Sequence, residues 1–143
     1  MPIRRSEAMW QGNLVDGTGT MTVGDGVFEG PFTHASRFKE GDGTNPEELL
    51  GAAHAGCFSM FLSSLLSKDD HVPNHVHTIA KVHIGAVDGA PTIHTIELIC
   101  TADVPGISQD ELLAYAERAK AGCPVSKALA AVSTITLSAN LEE

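Results

Sequence analysis

The first third of the chain alternates short apolar segments with turn signals. From Glu7 to Phe38, β-branched and aromatic residues are interrupted by Asp-Gly, Gly-Asp-Gly and Gly-Pro. This pattern is typical of about three short strands joined by tight turns. Neither a helix nor Gly-Lys-Ser follows the glycines, so we expect no phosphate-binding loop.

A long helix is predicted next. Asn45 can cap it, Pro46 suits its first position, and two acidic residues follow in the first turn. We expect the helix to end near Ser67. No charged residue lies between Leu49 and Leu66, which is just long enough to span a membrane. Its serines, glycines and histidine, with charged residues at both ends, favour instead a helix buried on nearly all sides, in a core or a subunit interface.

The second half of the chain returns to strand periodicity. Residues 76–87 and 92–104 alternate around an Asp-Gly turn, which predicts a hairpin, and residues 134–141 alternate as a last strand. Two helices are expected between the hairpin and this strand. The order of elements predicts an α+β fold with a mostly antiparallel sheet, in a single domain covering residues 1–143.

Capping signals place these two helices. Ser108 and Glu111 form a capping box that opens a helix ending near Gly122. Pro124 then favours a second, short helix with Cys123 at or beside its N-cap.

Composition excludes several classes of partner. Hydrophobic residues make up 43% of the chain and charged residues 19%, as in ordinary soluble domains. The net charge is −9, which argues against nucleic acid or an anionic membrane surface as partner. Aromatic residues, at 5%, are too few for a base-stacking platform.

The three cysteines are Cys57, Cys100 and Cys123. An odd number at wide spacing is unlike the disulfide framework of a small secreted domain. No apolar segment follows Arg4 and Arg5, so we expect no signal peptide and a cytoplasmic location. Cysteines in that reducing compartment are packing residues, metal ligands or reactive groups.

Local physics separates the three thiols. Cys123 is expected at a helix N-terminus, where unpaired N–H groups lower the pKa of a thiol. Cys57, within the uncharged helix, can be a small packing residue or a reactive one. Cys100 is in phase with Ile96 and Leu98 on a strand, which favours packing alone.

Histidines offer two further interpretations. His54 precedes Cys57 by three positions, so an imidazole–thiol contact is open, although a packing or hydrogen-bonding role is favoured. His77 and His83 share a strand face, but no other metal-ligand spacing accompanies them, and solvated side chains are the better interpretation.

Arg37, just before the long helix, has two interpretations as well. It is either a surface charge or the partner of an anion or thiolate, with Glu47 or Glu48 holding its guanidinium in a bidentate pair.

Taken together, three segments closely resemble the OsmC/Ohr family of thiol-dependent hydroperoxide reductases: Arg37-Phe38, residues 43–60 and residues 121–127. The resemblance covers essentially the whole chain. The Ohr branch carries its arginine in the first hairpin, whereas this chain has no arginine between Arg5 and Arg37. It therefore looks like the OsmC branch.

The resemblance implies a function and roles for four residues. Cys57 would be the peroxidatic cysteine, Cys123 the resolving cysteine, Arg37 the thiolate-stabilising arginine and Glu47 its carboxylate partner. The substrate would be an organic hydroperoxide and the reductant a dithiol of the lipoyl type or another small thiol, with no cofactor or metal, in hyperosmotic and oxidative stress. The implied structure is an OsmC-like fold with a long buried central helix, in an intertwined homodimer.

Helix geometry constrains how such a site is assembled. Ten residues of straight helix span about 15 Å, so Glu47 and Cys57 of one helix cannot meet. Either the helix breaks near Gly51, or the Arg37–Glu47 pair and Cys57 of one site come from different subunits. The uncharged helix favours the second arrangement and a C2 dimer.

The neighbours of Cys57 suggest the substrate. An apolar lining is predicted from Phe38, Phe58, Met60, Phe61 and Leu62, and it favours organic hydroperoxides over hydrogen peroxide.

Two functions of other classes stay open. One is a non-catalytic ligand-binding stress protein. The other is a Cys–His hydrolase with His54 as the base.

Overall fold

The computed structural model describes residues 1–142. The chain divides into two compact units, residues 1–49 and the residues from Leu50 onward, and the single-domain assignment stays a prediction. The elements are, in order, β1 (Ser6–Gln11), β2 (Thr18–Val23), β3 (Phe28–Phe32), α1 (His34–Phe38), α2 (Pro46–Lys68), β4 (His75–Val87), β5 (Ala90–Asp103), α3 (Gln109–Gly122), α4 (Pro124–Ala128) and β6 (Thr134–Leu141).

The first unit contains the predicted three-stranded meander. Strands β1, β2 and β3 form an antiparallel sheet in that order. Helix α1 follows it. The predicted strand pattern to Phe38 is therefore wrong beyond Phe32. A capping box explains the helix: Ser36 N–H donates to Thr33 Oγ1 at 3.1 Å, and Thr33 N–H donates to Ser36 Oγ at 2.8 Å.

Helix α2 begins at Pro46, as predicted from Asn45 as its N-cap. The Glu48 N–H donates to Asn45 Oδ1 at 2.8 Å, and the helix runs unbroken through Gly51 to Lys68. Gly51 therefore marks no break. It is buried against β4, and a Cβ there would lie 3.4 Å from the Ala80 carbonyl oxygen, at ordinary van der Waals distance.

Only one face of α2 is buried within this chain. The buried stripe contains Gly51, His54, Phe58, Leu62 and Leu66, whereas the opposite face is open to solvent. The predicted burial on nearly all sides is therefore not reached by one chain alone. The open face carries small or flexible side chains, namely Ala52, Ala53, Gly56, Met60 and Ser64.

By length and composition α2 could also cross a membrane. Core helices of soluble proteins have the same character. Its buried stripe supplies Phe58, Leu62 and Leu66 to the main hydrophobic cluster, which is how a core helix behaves.

The second unit holds the second sheet, in the order β4-β5-β6. The hairpin of β4 and β5 is antiparallel and turns at Asp88 and Gly89, both with positive φ. Strand β6 pairs with β5 in parallel, because α3 and α4 carry the chain back across the sheet before β6 begins. The mostly antiparallel α+β prediction is confirmed, with this one parallel pair.

The core of this unit lies between the sheet, α2 and α3. Cys100 is completely buried in it on β5, which confirms the packing interpretation of this cysteine. Its core partners include Phe58, Leu62, Leu66, Ile96, Leu98, Leu112, Ala116 and Ala119.

Candidate active site

The two predicted redox cysteines meet in the second unit. Cys57, half-buried in α2, and Cys123, fully buried between α3 and α4, are both free thiols. Their Sγ atoms lie 2.9 Å apart and share a hydrogen bond. Two sulfurs at this separation can be joined covalently after one is oxidised, with only a small shift of the backbone.

Cys123 is the N-cap of α4, as the sequence predicted. Its side chain accepts the Ser126 N–H at 3.4 Å, and Pro124 occupies the start of the helix. The short helix thus directs backbone donors at the sulfur, which is the setting that stabilises a thiolate.

This setting divides the charge of the cysteine pair unequally. Burial raises the pKa of the Cys57 thiol, and its hydrogen bond with Cys123 raises that pKa further. Burial alone would raise the pKa of Cys123 too, but hydrogen bonds from Cys57 and from Ser126 outweigh it, so the pKa of Cys123 is lowered. In the reduced chain the negative charge of the pair is therefore favoured on Cys123.

His54 contacts the resolving side of the pair and not Cys57. It is completely buried, and its Nε2 lies 2.7 Å from Ser126 Oγ. Its Nδ1 has no hydrogen-bond partner within residues 1–142, and burial lowers the pKa of the imidazole. The imidazole–thiol contact considered from the sequence is not formed.

Arg37 and Glu47 form the predicted ion pair in the first unit. Arg37, in the last turn of α1, donates from Nη2 to Glu47 Oε1 at 2.8 Å and from Nε to Oε1 and Oε2 at 3.1 and 3.3 Å. Glu47 is buried in the first turn of α2, where the helix dipole favours a carboxylate. Of the two acids considered from the sequence, Glu47 is the partner, since Glu48 is bound by the Asn45 side chain instead.

An open apolar cavity of about 230 Å³ adjoins this ion pair. Arg37 and Phe38 line it together with Trp10 and Phe32, whose rings lie 5.3 Å apart. The Arg37 guanidinium carbon lies 5.2 Å from the centre of the Phe38 ring. The cavity therefore combines a cation with aromatic walls.

The predicted lining around Cys57 needs correction. Phe58 and Leu62 have no exposed surface and belong to the core, so they cannot line an open site. Met60 is 77% exposed on the open face of α2. Of the predicted set, Phe38 lines the cavity beside Arg37, and Met60 lines a separate open cavity between α2 and the start of β4.

Side chains of the types that ligate metals are grouped elsewhere in the chain. His77 is exposed, and His83 bonds Glu97 across the hairpin at 2.5 Å, so the imagined pair of strand histidines is not a ligand set. Ligand atoms of His75, Asp103 and Glu142 lie within 4.8 Å of one another at one end of the second sheet. Such nitrogen and oxygen atoms could hold a divalent cation, but they include none of the residues described above.

Sequence reasoning missed Ser126. One signal was available. Ser126 follows the predicted N-cap, Cys123, by three residues, and an N-cap side chain accepts the backbone N–H at that position. Its hydroxyl contact with His54 joins residues 72 positions apart, and no local pattern reveals that contact.

Comparison with known proteins assigns the family. Residues 39–138 match the family model described as OsmC-like protein. The chain is 41% identical to Peroxiredoxin OsmC of Escherichia coli (strain K12), over 92% of this chain and 93% of that protein. It is 35% identical to an Organic hydroperoxide resistance protein of Xanthomonas axonopodis pv. citri, over 68% and 67% of the two chains.

Solved structures share the fold. An organic hydroperoxide resistance protein from Elizabethkingia anophelis matches with a TM-score of 0.78 at 23% identity, covering 99% of both chains. An OsmC like protein from Mycoplasma pneumoniae matches with a TM-score of 0.77 at 17% identity, again over 99% of both. The arrangement of strands and helices agrees with the matched sequence motifs, and the chain belongs to the OsmC family.

Proposed function

We propose that this protein is a thiol-dependent peroxidase that reduces organic hydroperoxides to alcohols. The observation that carries the proposal is the 2.9 Å separation of Cys57 Sγ and Cys123 Sγ. The names of the relatives, Peroxiredoxin OsmC and Organic hydroperoxide resistance protein, agree with it. The chemistry uses protein thiols alone, without a metal or an organic cofactor.

In the first step the Cys57 thiolate attacks the O–O bond. Cys123 holds the charge at rest, so a proton shift along the Sγ–Sγ hydrogen bond creates the Cys57 thiolate and a Cys123 thiol. The Cys57 sulfur takes the distal oxygen and becomes a sulfenic acid, while the O–O electron pair leaves with the alkoxide. The alkoxide then takes a proton and departs as the alcohol.

In the second step Cys123 resolves the sulfenic acid. Its sulfur attacks the Cys57 sulfur, a disulfide forms, and hydroxide leaves with the Cys123 proton as water. An external dithiol, of the lipoyl type or another small thiol, then exchanges with the disulfide and restores both protein thiols. Cys57, the more exposed of the two sulfurs, is the accessible point of attack.

Arg37 supplies the positive charge for the first step. A cation within about 4–6 Å of a thiol raises its thiolate fraction at least about tenfold. The bidentate Glu47 contact fixes the plane of the guanidinium and leaves it the geometry to bind a peroxide oxygen. We assign Arg37 to the stabilisation of thiolate and alkoxide, and Glu47 to its orientation.

The cavity beside Arg37 favours an organic substrate. Its walls include Trp10, Phe32 and Phe38, which would bury the organic group of a hydroperoxide while the guanidinium meets its oxygens. Hydrogen peroxide has no such group to bury and gains nothing from these walls.

The site is proposed to form at the interface of an intertwined C2 homodimer. Helix α2 does not break between Glu47 and Cys57, which leaves the arrangement in which one site uses residues of two subunits. The open face of α2, uncharged from Leu49 to Ser67 and carrying the exposed Met60, is suited to contact the partner's copy. Each chain would act as a single domain over residues 1–143.

We further propose a cytoplasmic location. A reducing compartment keeps the thiols of this cycle available to a dithiol reductant. With a net charge of −9, neither nucleic acid nor an anionic membrane is expected as a partner.

A single-turnover experiment tests the cysteine roles. Reduced protein is treated with one equivalent of cumene hydroperoxide and its intact mass is measured. Wild type should lose the mass of two hydrogen atoms, Cys57→Ser should not react, and Cys123→Ser should gain one oxygen. Cys100→Ser is the matched control and should behave as wild type, because that thiol is completely buried in the core. Reaction of Cys57→Ser at the wild-type rate would refute the assignment.

The same experiment separates the other two functions. A non-catalytic ligand-binding protein would lose no thiol on peroxide treatment. A Cys–His hydrolase would be indifferent to the replacement of Cys123, and the engagement of His54 with Ser126 argues against His54 as its base.

A further inference from the structure

We propose that His54 and Ser126 form a buried positioning device for the resolving cysteine. Through Ser126, His54 holds a hydrogen-bond donor against Cys123 Sγ and so favours Cys123 as attacking and as leaving thiolate. The proposal deepens the proposed function and rests on it, because it assigns residues to the second half of the same cycle.

The geometry connects His54 to Cys123 through both the side chain and the backbone of Ser126, and a side-chain hydrogen bond from Ser126 also lowers the pKa of Cys123. His54 Nε2 lies 2.7 Å from Ser126 Oγ, and Ser126 in turn donates its backbone N–H to Cys123 Sγ at 3.4 Å. His54 has no exposed surface and Ser126 is 7% exposed. A contact sealed from water in this way keeps its direction, since no solvent competes for the donors.

The unpartnered ring nitrogen fixes the direction of these hydrogen bonds. If Nδ1 carried the proton, a buried N–H would face no acceptor within residues 1–142. With the proton on Nε2, Nδ1 is left as a bare lone pair, and Nε2–H donates to Ser126 Oγ. The Ser126 hydroxyl hydrogen is then free to point toward the Cys123 sulfur.

The imidazole stays neutral in this arrangement. A second ring proton would be an unpaired buried donor, and burial already lowers the pKa of His54. His54 is therefore a fixed donor and does not act as an acid or a base in the cycle. It touches neither substrate nor the reacting sulfurs, so it is a positioning residue.

Donors at Cys123 Sγ assist two steps of the cycle. When Cys123 attacks the Cys57 sulfenic acid, they stabilise its thiolate as the proton leaves with hydroxide. When the external dithiol attacks the Cys57 sulfur of the disulfide, they stabilise the departing Cys123 thiolate, and a leaving thiol of lower pKa departs faster. The same donors oppose the proton shift from Cys57 to Cys123, so they do not assist the attack of Cys57 on the peroxide.

The direct test measures Cys123 without any peroxide. The ultraviolet absorbance of thiolate is titrated against pH in Cys57→Ser, and the titration of Cys57→Ser/Cys123→Ser is subtracted to isolate Cys123. His54→Leu and Ser126→Ala, added to the first variant, should each raise the pKa of Cys123. His54→Gln, whose side-chain amide can donate to Ser126, should restore most of the original pKa.

The kinetic test measures the conversion of Cys57 sulfenic acid to disulfide by rapid quenching and mass analysis. Loss of one hydrogen bond to a charged sulfur should slow this step about tenfold in Ser126→Ala and in His54→Leu. The formation of the sulfenic acid should not slow in either variant, because a higher pKa of Cys123 favours the proton shift that creates the Cys57 thiolate. The double variant should be no slower than Ser126→Ala alone, because His54 acts through Ser126.

The outcomes separate this proposal from the function on which it rests. An unchanged pKa of Cys123 in both His54→Leu and Ser126→Ala, or independent effects that multiply in the double variant, would overturn the positioning role. An equal rise in the pKa of Cys123 in His54→Gln and His54→Leu would also overturn the positioning role, since the loss of packing alone would then explain the effect. Failure of Cys57 to be oxidised in wild type would instead overturn the peroxidase function and leave the absorbance titration intact.

Discussion

The Sγ atoms of Cys57 and Cys123 lie 2.9 Å apart, although 66 residues separate the two positions in the chain. Cys57 is held by the middle of α2, and Cys123 by the junction of α3 and α4. Both elements are anchored in the same core, through Phe58 and Leu62 on one side and Ala119 on the other. A disulfide can therefore form and break without rebuilding the fold.

Oxidation should stabilise the protein. A Cys57–Cys123 disulfide closes a loop of 66 residues and lowers the chain entropy of the unfolded state, by an amount worth up to roughly 4 kcal/mol. We expect a higher urea midpoint for oxidised than for reduced wild type. Cys123→Ser is the control, and its midpoint should not depend on reductant. An oxidised form less stable than the reduced one would show that the disulfide distorts the native backbone.

Replacement of Arg37 should slow the peroxide step specifically. We expect Arg37→Ala to lower the rate of Cys57 oxidation by cumene hydroperoxide at least about tenfold, measured as loss of free thiol. Arg37→Lys should recover only part of it, because an ammonium cannot make the bidentate contact with Glu47. Arg5→Ala removes an exposed arginine paired with Glu7 and should leave the rate unchanged. A wild-type rate in Arg37→Ala would show that Arg37 does not take part in the peroxide step.

Local sequence signals predicted most helices and strands. Features that depend on residues far apart in the chain could not be predicted from such signals. Asn45 and Cys123 cap their helices as expected because capping depends on the next three residues. Helix α1 was missed because Ser36 completes its capping box in place of the usual Glu or Gln. The buried face of α2 could not be chosen, since apolar and small residues surround the whole helix.

The same distinction between local and long-range signals applies to the candidate active site. The pairing of Cys57 with Cys123 came from the family resemblance and not from spacing, and so did the choice of Glu47 over Glu48 as the partner of Arg37. No pattern announced the contact of His54 with Ser126, because it depends on how α4 packs beside α2. Local sequence thus predicts the state of each side chain, and the tertiary fold decides its partner.

The free energy of unfolding should decrease as the pH decreases, and part of this decrease should depend on His54. Burial lowers the pKa of this imidazole below its ordinary value of 6.5. The unfolded chain therefore binds a proton below pH 6.5 that the folded chain resists. Its contribution to stability is complete above that pH and is lost as the pH decreases, by up to about 1.4 kcal/mol per pH unit.

Chemical denaturation at several pH values measures this effect. His54→Gln carries no titrating group at the position and should show a shallower loss of unfolding free energy between neutral and acidic pH. His77→Gln removes an exposed histidine and should follow wild type. Equal slopes in His54→Gln and wild type would contradict a buried neutral imidazole.

Phe38 should discriminate between substrates. We expect Phe38→Ala to lower the rate of Cys57 oxidation by cumene hydroperoxide about fivefold, as the partial loss of an aromatic wall implies. The rate with hydrogen peroxide should not change, because that substrate has no group to bury. Phe28→Ala is matched in exposure, at 43% against 41% for Phe38, and lies outside the cavity, so both of its rates should remain at wild type. If Phe38→Ala lowered the rates with both peroxides equally, Phe38 would support the position of Arg37 and would not select the organic group.

Subunit exchange decides whether a site uses two chains. Arg37→Ala and Cys57→Ser are each expected to be nearly inactive alone. If Arg37 of one chain serves Cys57 of the other, a mixed dimer contains one complete site, with Cys57 from the first variant and Arg37 from the second. Random mixing then restores about a quarter of all sites.

If both residues of a site belong to one chain, no mixed dimer contains a complete site and mixing restores nothing. The measurement is peroxidase activity after the two variants are unfolded together and refolded, compared with each variant refolded alone. Met60→Lys should prevent the recovery, since it places a charge on the open face of α2. Val27→Lys, at a similarly exposed position of the β2–β3 turn, should permit it. Recovery of activity in Met60→Lys mixtures would mean that the subunits meet through another surface.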